Sequence, residues 1–507
     1  MGKLNIKPPA HLEKNCYQLI IGRLNGDAID SPEYQRKIYD LVEKGIGGFI
    51  LFGGEKENVK TFISSLQAVS EIPLFFASDI EQGVGHQVYG STLFPSQMAV
   101  SAAIRTDVQN HRKVLSDMIH AIAVEARDIG INMPLIPVLD INKDPDNPII
   151  CTRAFSDNPE RVSWFGLRYI RILEESCLIS CAKHFPGHGD TSTDSHLSLP
   201  IIMKTADQLR MTDLVPFNNA IRAGVRSIMI GHLRIPSIDD KPSSISHKII
   251  SGLLREEMGF QGLILTDALT MHALANIENV STQCIQSGAD ILLHPHDPDF
   301  TAKELLQSVK RGNLSEHIIS AAVNRIMNTK KTLPDVIGSP VQYSEHRSLS
   351  KKITRMSITA LKHNTRLLPI TKNNDIDVYF IGDDSLAETS PFRSFFKHCH
   401  TGLGDEPLSH FQDKTVLFVI YTSIEAWKGN AGIRERDKKR MHEIISKANF
   451  SAMVSFGCPY VLGNFSHADL LVAAYDVTDQ AQDAVLDCLT GRYTFQGFFP
   501  VDIHLCP

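Results

Sequence analysis

The chain predicts an α/β protein, an N-terminal (β/α)8 barrel of the TIM type followed by a smaller α/β domain. Three observations carry this expectation. Short apolar runs of β type alternate with longer stretches of helical spacing, the pattern of successive βα units and a parallel sheet. Eight such runs precede residue 330, the number that closes a barrel. Polar side chains follow directly on five different runs (Asp79, Asp140, Lys183 with His184, His232 and Asp267), and catalytic groups gather at the C-terminal rim of a barrel.

In chain order the runs are 18–24 (QLIIGRL), 48–52 (GFILF), 74–78 (LFFAS), 133–139 (MPLIPVL), 178–182 (LISCA), 227–231 (SIMIG), 262–266 (GLILT) and 290–294 (DILLH). Strands covered on both faces by helices need such continuous apolar character. Helical spacing fills 107–128, 159–177, 206–223, 248–258 and 304–330. A polar stretch holding Pro334 and Pro340 lacks periodicity and reads as a connection. The domains are therefore drawn as a catalytic barrel over 1–335, a linker over 336–350 and a second α/β domain over 351–507. Strand signals restart there at 378–381 (VYFI), 415–421 (TVLFVIY), 452–456 (AMVSF) and 470–475 (LLVAAY), with helical segments such as 437–448 and 479–489 between them.

Composition narrows the function. Of 507 residues 43% are apolar and 21% charged, which supplies a sizeable core and excludes a disordered chain. The net charge of −6 comes from 51 basic and 57 acidic side chains spread without blocks, so no footprint for nucleic acid or an anionic membrane is expected. The run 434–440 (RERDKKR) is broken by acids and reads as a solvated helix start. No signal-peptide core and no 18-residue apolar span stand in the sequence, so the expected location is cytoplasmic. Nine cysteines, an odd number without a CxxC pair, agree with a reducing compartment.

One segment is dense in reactive side chains, 183–200 (KHFPGHGDTSTDSHLSLP), with three histidines, two aspartates and a lysine on a loop rich in Gly, Pro, Ser and Thr. Asp194 and His196 stand two apart, close enough for the carboxylate to accept from an imidazole N–H and fix its tautomer. Such a pair can serve as a general acid/base near neutral pH. Asp267 ends an apolar strand and is the candidate nucleophile, with a helix N-cap as the alternative. His188 and Asp190 are read as holding the loop. His184, His188, Asp190, Asp194 and His196 also form a reservoir of possible metal ligands. No HExxH helix or second carboxylate cluster accompanies them, so neither metal nor cofactor is called for.

The string KHFPGHGDTSTDSHLSLP resembles the signature of bacterial β-N-acetylglucosaminidases of glycoside hydrolase family 3. Similar stretches follow in that family's order: IPVLDINKDPDNPIICTRAFSDNP at 136–159, GVRSIMIGHLRIPSID at 224–239, LLREEMGFQGLILTDALTM at 253–271 and SGADILLHP at 287–295. In the second half MSITALKHNTRLLPI and VSFGCPYVLGNF are similar to the α/β sandwich that many members append.

The resemblance implies Asp267 as nucleophile and Asp194–His196 as acid/base, with Asp79, Arg153, Lys183 and His184 holding the non-reducing sugar. It implies a retaining exo-enzyme, monomeric or a weak homodimer, that removes N-acetylglucosamine from muropeptide fragments. Two alternatives stay open, transfer to phosphate on the same fold and a non-catalytic wall-fragment binder. The family's DQEGGRV stands here as Asp79-Ile80-Glu81-Gln82-Gly83-Val84-Gly85, without the arginine, and His86 is the nearest candidate to compensate.

Overall fold

A computed structural model of the chain describes residues 8–191, 199–333, 341–422 and 432–505. They form two compact units. The first comprises Met1–Leu93, Ser116–Ile141 and Pro159–His346, the second Phe94–Leu115, Asn142–Asn158 and Arg347–Pro507. Two stretches from the first half of the chain thus cluster with the C-terminal half.

In the first unit eight parallel strands appear in the expected order: β1 (Ile20–Asn25), β2 (Gly48–Phe52), β3 (Phe75–Ser78), β4 (Met133–Pro134), β5 (Cys181–Phe185), β6 (Ser227–Ile230), β7 (Leu263–Thr266) and β8 (Leu292–Leu293). They make two arcs, β8-β1-β2-β3-β4 and β5-β6-β7. Parallel bridges Val138↔Lys183 and Leu265↔Ile291 join the arcs into a ring. Backbone bonds from Leu139 N to Lys183 O (2.7 Å) and Thr266 N to Ile291 O (3.0 Å) reinforce the two seams.

Helices start where the local chemistry allows. Ser31 caps Pro32–Glu43 by accepting from Tyr34 N, and Asp297 caps Pro298–Lys310 by accepting from Asp299 N and Phe300 N, each ahead of a proline in the first turn. Residues Lys248–Glu257, expected as an α-helix, are wound as a π-helix. A helix, Tyr343–Ser357, occupies the second half of the segment read as linker.

In the second unit six strands follow: β9 (Thr359–His363), β10 (Ile376–Ile381), β11 (His398–Thr401), β12 (Thr415–Thr422), β13 (Phe450–Gly457) and β14 (Leu470–Ala473). They form one sheet in the order β9-β14-β13-β12-β10-β11, parallel except for β9. Side chains alternate between two cores. Tyr379, Phe418 and Met453 belong to one, with Met98, Ala99, Ala102 and Cys151; Val378, Leu417, Val419 and Val454 belong to the other. A sheet buried on both faces is the sandwich the sequence predicted. The edge strands β9 and β11, whose residues include Lys362, His363, His398 and His400, were not foreseen, because exposed edges carry little apolar signal. Among the described residues no helix is long and apolar enough to cross a membrane.

Candidate active site

The barrel rim gathers the polar residues that follow its strands. Lys183 is almost fully buried, 1% exposed, and its ammonium lies 2.7 Å from both Asp79 Oδ1 and Glu81 Oε1. Asp79 keeps 31% of its side chain accessible, so one face of the pair opens to the mouth. The sequence placed Lys183 and His184 just after the fifth strand; they lie within it. The strand tolerates them because carboxylates from other strand ends meet both side chains, a pairing that a buried charge requires.

Asp140, wholly buried after the fourth run, is the hub of this corner. Its carboxylate accepts from His184 Nδ1 at 2.7 Å, from the His184 backbone N–H at 3.2 Å and from the His188 backbone N–H at 2.7 Å. Burial is the strongest single influence on Asp140 and pushes it upward, but His184 and His188 together hold the carboxyl below its ordinary value. The loop beyond is tied down at its described start. Thr191 donates its hydroxyl to the His188 carbonyl (3.2 Å), so His188 Nδ1 donates to that hydroxyl (2.9 Å). Burial pushes His188 down to about 4, only partly opposed by Asp140, and the ring is neutral at working pH. Gly189 passes so close to Ile141 that an added Cβ would sit 1.8 Å from its carbonyl oxygen. Asp190 pairs with Lys204 at 3.0 Å. His188 and Asp190 thus brace the loop.

Asp267 follows β7 at the same rim, half-buried. Its backbone N–H donates to Ile230 O (3.0 Å) and its Oδ1 accepts from Ala268 N (2.7 Å). No α-helix begins there; a turn leads to the short 3-10 segment His272–Leu274, so the carboxylate is not spent on a helix start. His232 steadies this turn. Its Nε2 donates to Ala268 O (3.1 Å), and the Ser244 hydroxyl donates to its Nδ1 (2.9 Å). Burial pushes the Cys181 thiol, at the start of β5, up to about 12; the Ser227 hydroxyl and Lys183 pull it down, and the charges of Asp79 and Asp267 add smaller upward pushes.

A parallel barrel with carboxylates, a lysine and a histidine gathered at one rim has the layout of a barrel enzyme's active site. The profile for the N-terminal domain of glycosyl hydrolase family 3 matches residues 12–329. The chain belongs to glycoside hydrolase family 3. A protein of Pseudoalteromonas piscicida named beta-hexosaminidase A is 31% identical over 372 residues, covering 65% of this chain and 62% of the relative, so the chain spans less than two thirds of that protein. A Cellulomonas fimi protein named beta-N-acetylglucosaminidase/beta-glucosidase is 27% identical over 507 residues, covering 90% of this chain and 88% of its own length. The solved structure of a family 3 beta-N-acetylglucosaminidase from Paenibacillus sp. str. FPU-7 superposes with a TM-score of 0.81 at 25% identity, covering 98% of this chain and all of that one.

For this family 3 member the predicted site residues divide three ways. Asp79, Lys183, His184 and Asp267 stand on one rim of the first unit. Arg153 ends the short 3-10 segment Cys151–Arg153 of the second unit, where its Nη1 donates to Ile149 O at 3.0 Å. Asp194 and His196 lie outside the described residues. The sequence reading passed over Phe52, which ends β2, His294, which follows β8, and Arg23, which lies within β1 two residues before its end. The strand-end rule that found Asp267 would have found His294 had it been applied to the last run, but not Arg23, which Leu24 follows inside the first. Among the described residues no group of three or more His, Cys, Asp or Glu side chains is placed to hold a metal ion.

Proposed function

We propose that this family 3 glycoside hydrolase is a cytoplasmic, retaining exo-β-N-acetylglucosaminidase that removes N-acetylglucosamine from the non-reducing end of muropeptide fragments. The observation that carries the reading is the half-buried Asp267 carboxylate at the end of β7, on the rim where Asp79 and Lys183 also stand. The names of the relatives and the 183–200 signature support the choice of sugar. Catalysis is assigned to the barrel, residues 1–335, and a stabilising role to the sandwich, 351–507.

In this mechanism Asp267 attacks the anomeric carbon while protonated His196, oriented by Asp194, gives its proton to the departing glycosidic oxygen. A glycosyl-aspartate results. Neutral His196 then takes a proton from water, whose oxygen displaces Asp267 and restores the original anomeric configuration. An imidazole suits this second step because its neutral form adds no negative charge beside the aspartate. Asp79, Arg153, Lys183 and His184 hold the hydroxyls of the sugar, with Lys183 fixing the direction of the Asp79 carboxylate.

The test is Asp267→Ala and His196→Ala on aryl N-acetylglucosaminides with good and poor leaving groups, with and without phosphate. Asp267→Ala is expected to lose about 10⁴-fold in kcat on both. His196→Ala is expected to lose about 10²–10⁴-fold, most on the poor leaving group, where protonation matters most. The first-formed product, followed by proton NMR, is expected to be the β-anomer. Asp267→Ala retaining activity within tenfold of wild type, or an α-anomer formed first, would overturn the reading. A sugar phosphate formed in the phosphate arm would replace hydrolysis by phosphorolysis.

A further inference from the structure

Strand register shows which side chains enter the barrel. Arg23 of β1 pairs in register with Ile50 of β2, and Ile50 with Ala77 of β3. Parallel neighbours in register share a face, and positions two apart return to it. Arg23, Phe52, two beyond Ile50, and Asp79, two beyond Ala77, therefore project to the same side of the sheet. The opposite side is the helix layer, because a Cβ placed on Gly22 would meet Ile46 at 3.1 Å and Pro298, first residue of the Pro298–Lys310 helix, at 3.4 Å. Arg23 thus points into the barrel, where side chains normally fill a closed core. It is nevertheless exposed, while Gly22 and Leu24 beside it are buried. An inward-facing yet accessible arginine means that the open mouth reaches down to it.

The surroundings of Arg23 leave its hydrogen-bonding groups available. The guanidinium lies 5.3 Å from the centre of the Phe52 ring, and that ring lies 5.7 Å from His294 at the end of β8. Among the described residues no carboxylate stands at ion-pair distance from Arg23. Burial, and then the charges of Arg23 and His296, push His294 down to about 4 against the pull of Asp79, so a neutral imidazole, a cation and a carboxylate share this part of the rim. A guanidinium is planar, carries five N–H donors and stacks well on aromatic faces, an arrangement suited to fixed acceptor oxygens.

The position of these groups in the ring selects the acceptors. In an eight-stranded barrel the end of β7 is diametrically opposite the end of β3, with β1 and β2 alongside. A pyranose with C1 at Asp267 on β7 directs C4, the opposite corner of the ring, and its neighbouring C6 arm toward Asp79, Phe52 and Arg23. We infer that Arg23, over the Phe52 ring, is a specificity-determining residue that donates hydrogen bonds to the O-4 and O-6 side of the non-reducing sugar. This rests on the proposed function for the placement of C1. It adds a residue to which neither the family resemblance nor the comparisons assign a role.

The test compares wild type, Arg23→Met and Arg23→Lys on an aryl β-N-acetylglucosaminide and on its 4-deoxy, 6-deoxy and 4-epimeric analogues. Arg23→Met is expected to lower kcat/KM on the parent by about 10- to 100-fold, as for the loss of one or two bonds from a charged donor. It should lower it by less than about threefold on at least one deoxy analogue, where the acceptor is already missing, and Arg23→Lys should recover part of the loss. An equal loss on the parent and both deoxy sugars would mark a structural role and overturn the inference, as would no loss at all. Thermal melting with free N-acetylglucosamine, glucose and their 4- and 6-deoxy forms separates this question from turnover. A wild type that hydrolyses no N-acetylhexosaminide defeats the proposed function, while a sugar-induced shift lost in Arg23→Met still supports Arg23. A shift kept in Arg23→Met, or no shift with any sugar in wild type, overturns it.

Discussion

The barrel buries one lysine at its mouth and another at its base, and the two are held in opposite ways. Lys183 at the mouth is 1% exposed and sits 2.7 Å from each of two carboxylates, Asp79 and Glu81. Lys330 at the base is fully buried and meets neutral oxygens, Gln18 Oε1 at 3.0 Å and Gly47 O at 2.8 Å, with the Phe75 ring centre 4.8 Å away. Burial pushes the Lys330 ammonium down to about 7. Around Lys183 charge exceeds what the lysine neutralises, and Asp79 stays partly accessible. Around Lys330 nothing faces outward. Burial of a charge therefore does not mark a functional site by itself. What separates mouth from base is charge and hydrogen-bonding capacity directed toward solvent.

The largest expected break in this comparison is Lys183→Met. It leaves Asp79 and Glu81 facing each other without their cation, and it is expected to lower unfolding free energy by about 3–5 kcal/mol, measured by denaturant unfolding, and to abolish turnover. Adding Glu81→Gln should return part of the stability. A fully stable Lys183→Met variant would mean that the mouth, like the base, tolerates loss of its cation.

A second contrast is in pH. His188 in the folded mouth titrates at about 4, below the ordinary 6.5 of the unfolded chain, so between these values the unfolded state binds the extra proton. Stability is then lost as pH falls from 6.5 toward 4, by up to about 1.4 kcal/mol per unit. His188→Asn should flatten the melting profile in that window; an unchanged slope would remove His188 as its cause.

The smallest effect is expected at the base. Lys330→Met should stay within about 1–2 kcal/mol of wild type at pH 7 and keep full activity, since an apolar chain replaces a poorly solvated amine. The folded value of about 7 lies below that of an unfolded lysine, so wild-type stability should rise as pH climbs from 7 toward 10. Lys330→Met should lack that rise. A large loss of activity in this variant would tie the base to the mouth.

Much of the barrel could be read from local sequence. Strands buried on both faces need unbroken apolar runs, and all eight runs became strands in their predicted order. The polar residues that follow five of the runs were legible for the same reason: Asp79 and Asp267 are the first charged side chains after their apolar stretches. The true extent of β5 was not legible. Lys183 and His184 look like a loop start until Asp79, 104 positions earlier, and Asp140, 44 positions earlier, are brought against them. Nor could the sequence show that 94–115 and 142–158 cluster with the C-terminal half, since their partners, such as Asp476 for Ser96, lie hundreds of residues away.

By itself, then, the sequence determined the strand count, the βα alternation and the segment 183–200 where chemistry is concentrated, because each is written within a few neighbouring residues. Tertiary structure alone decided which side of an apolar strand faces the mouth, and so that Arg23 enters the barrel while Gly22 meets a helix. It also decided which lysine meets carboxylates and which meets carbonyl oxygens. Periodicity within one strand is the same whichever face turns inward; only register with neighbouring strands, set by contacts far apart in the chain, breaks that symmetry.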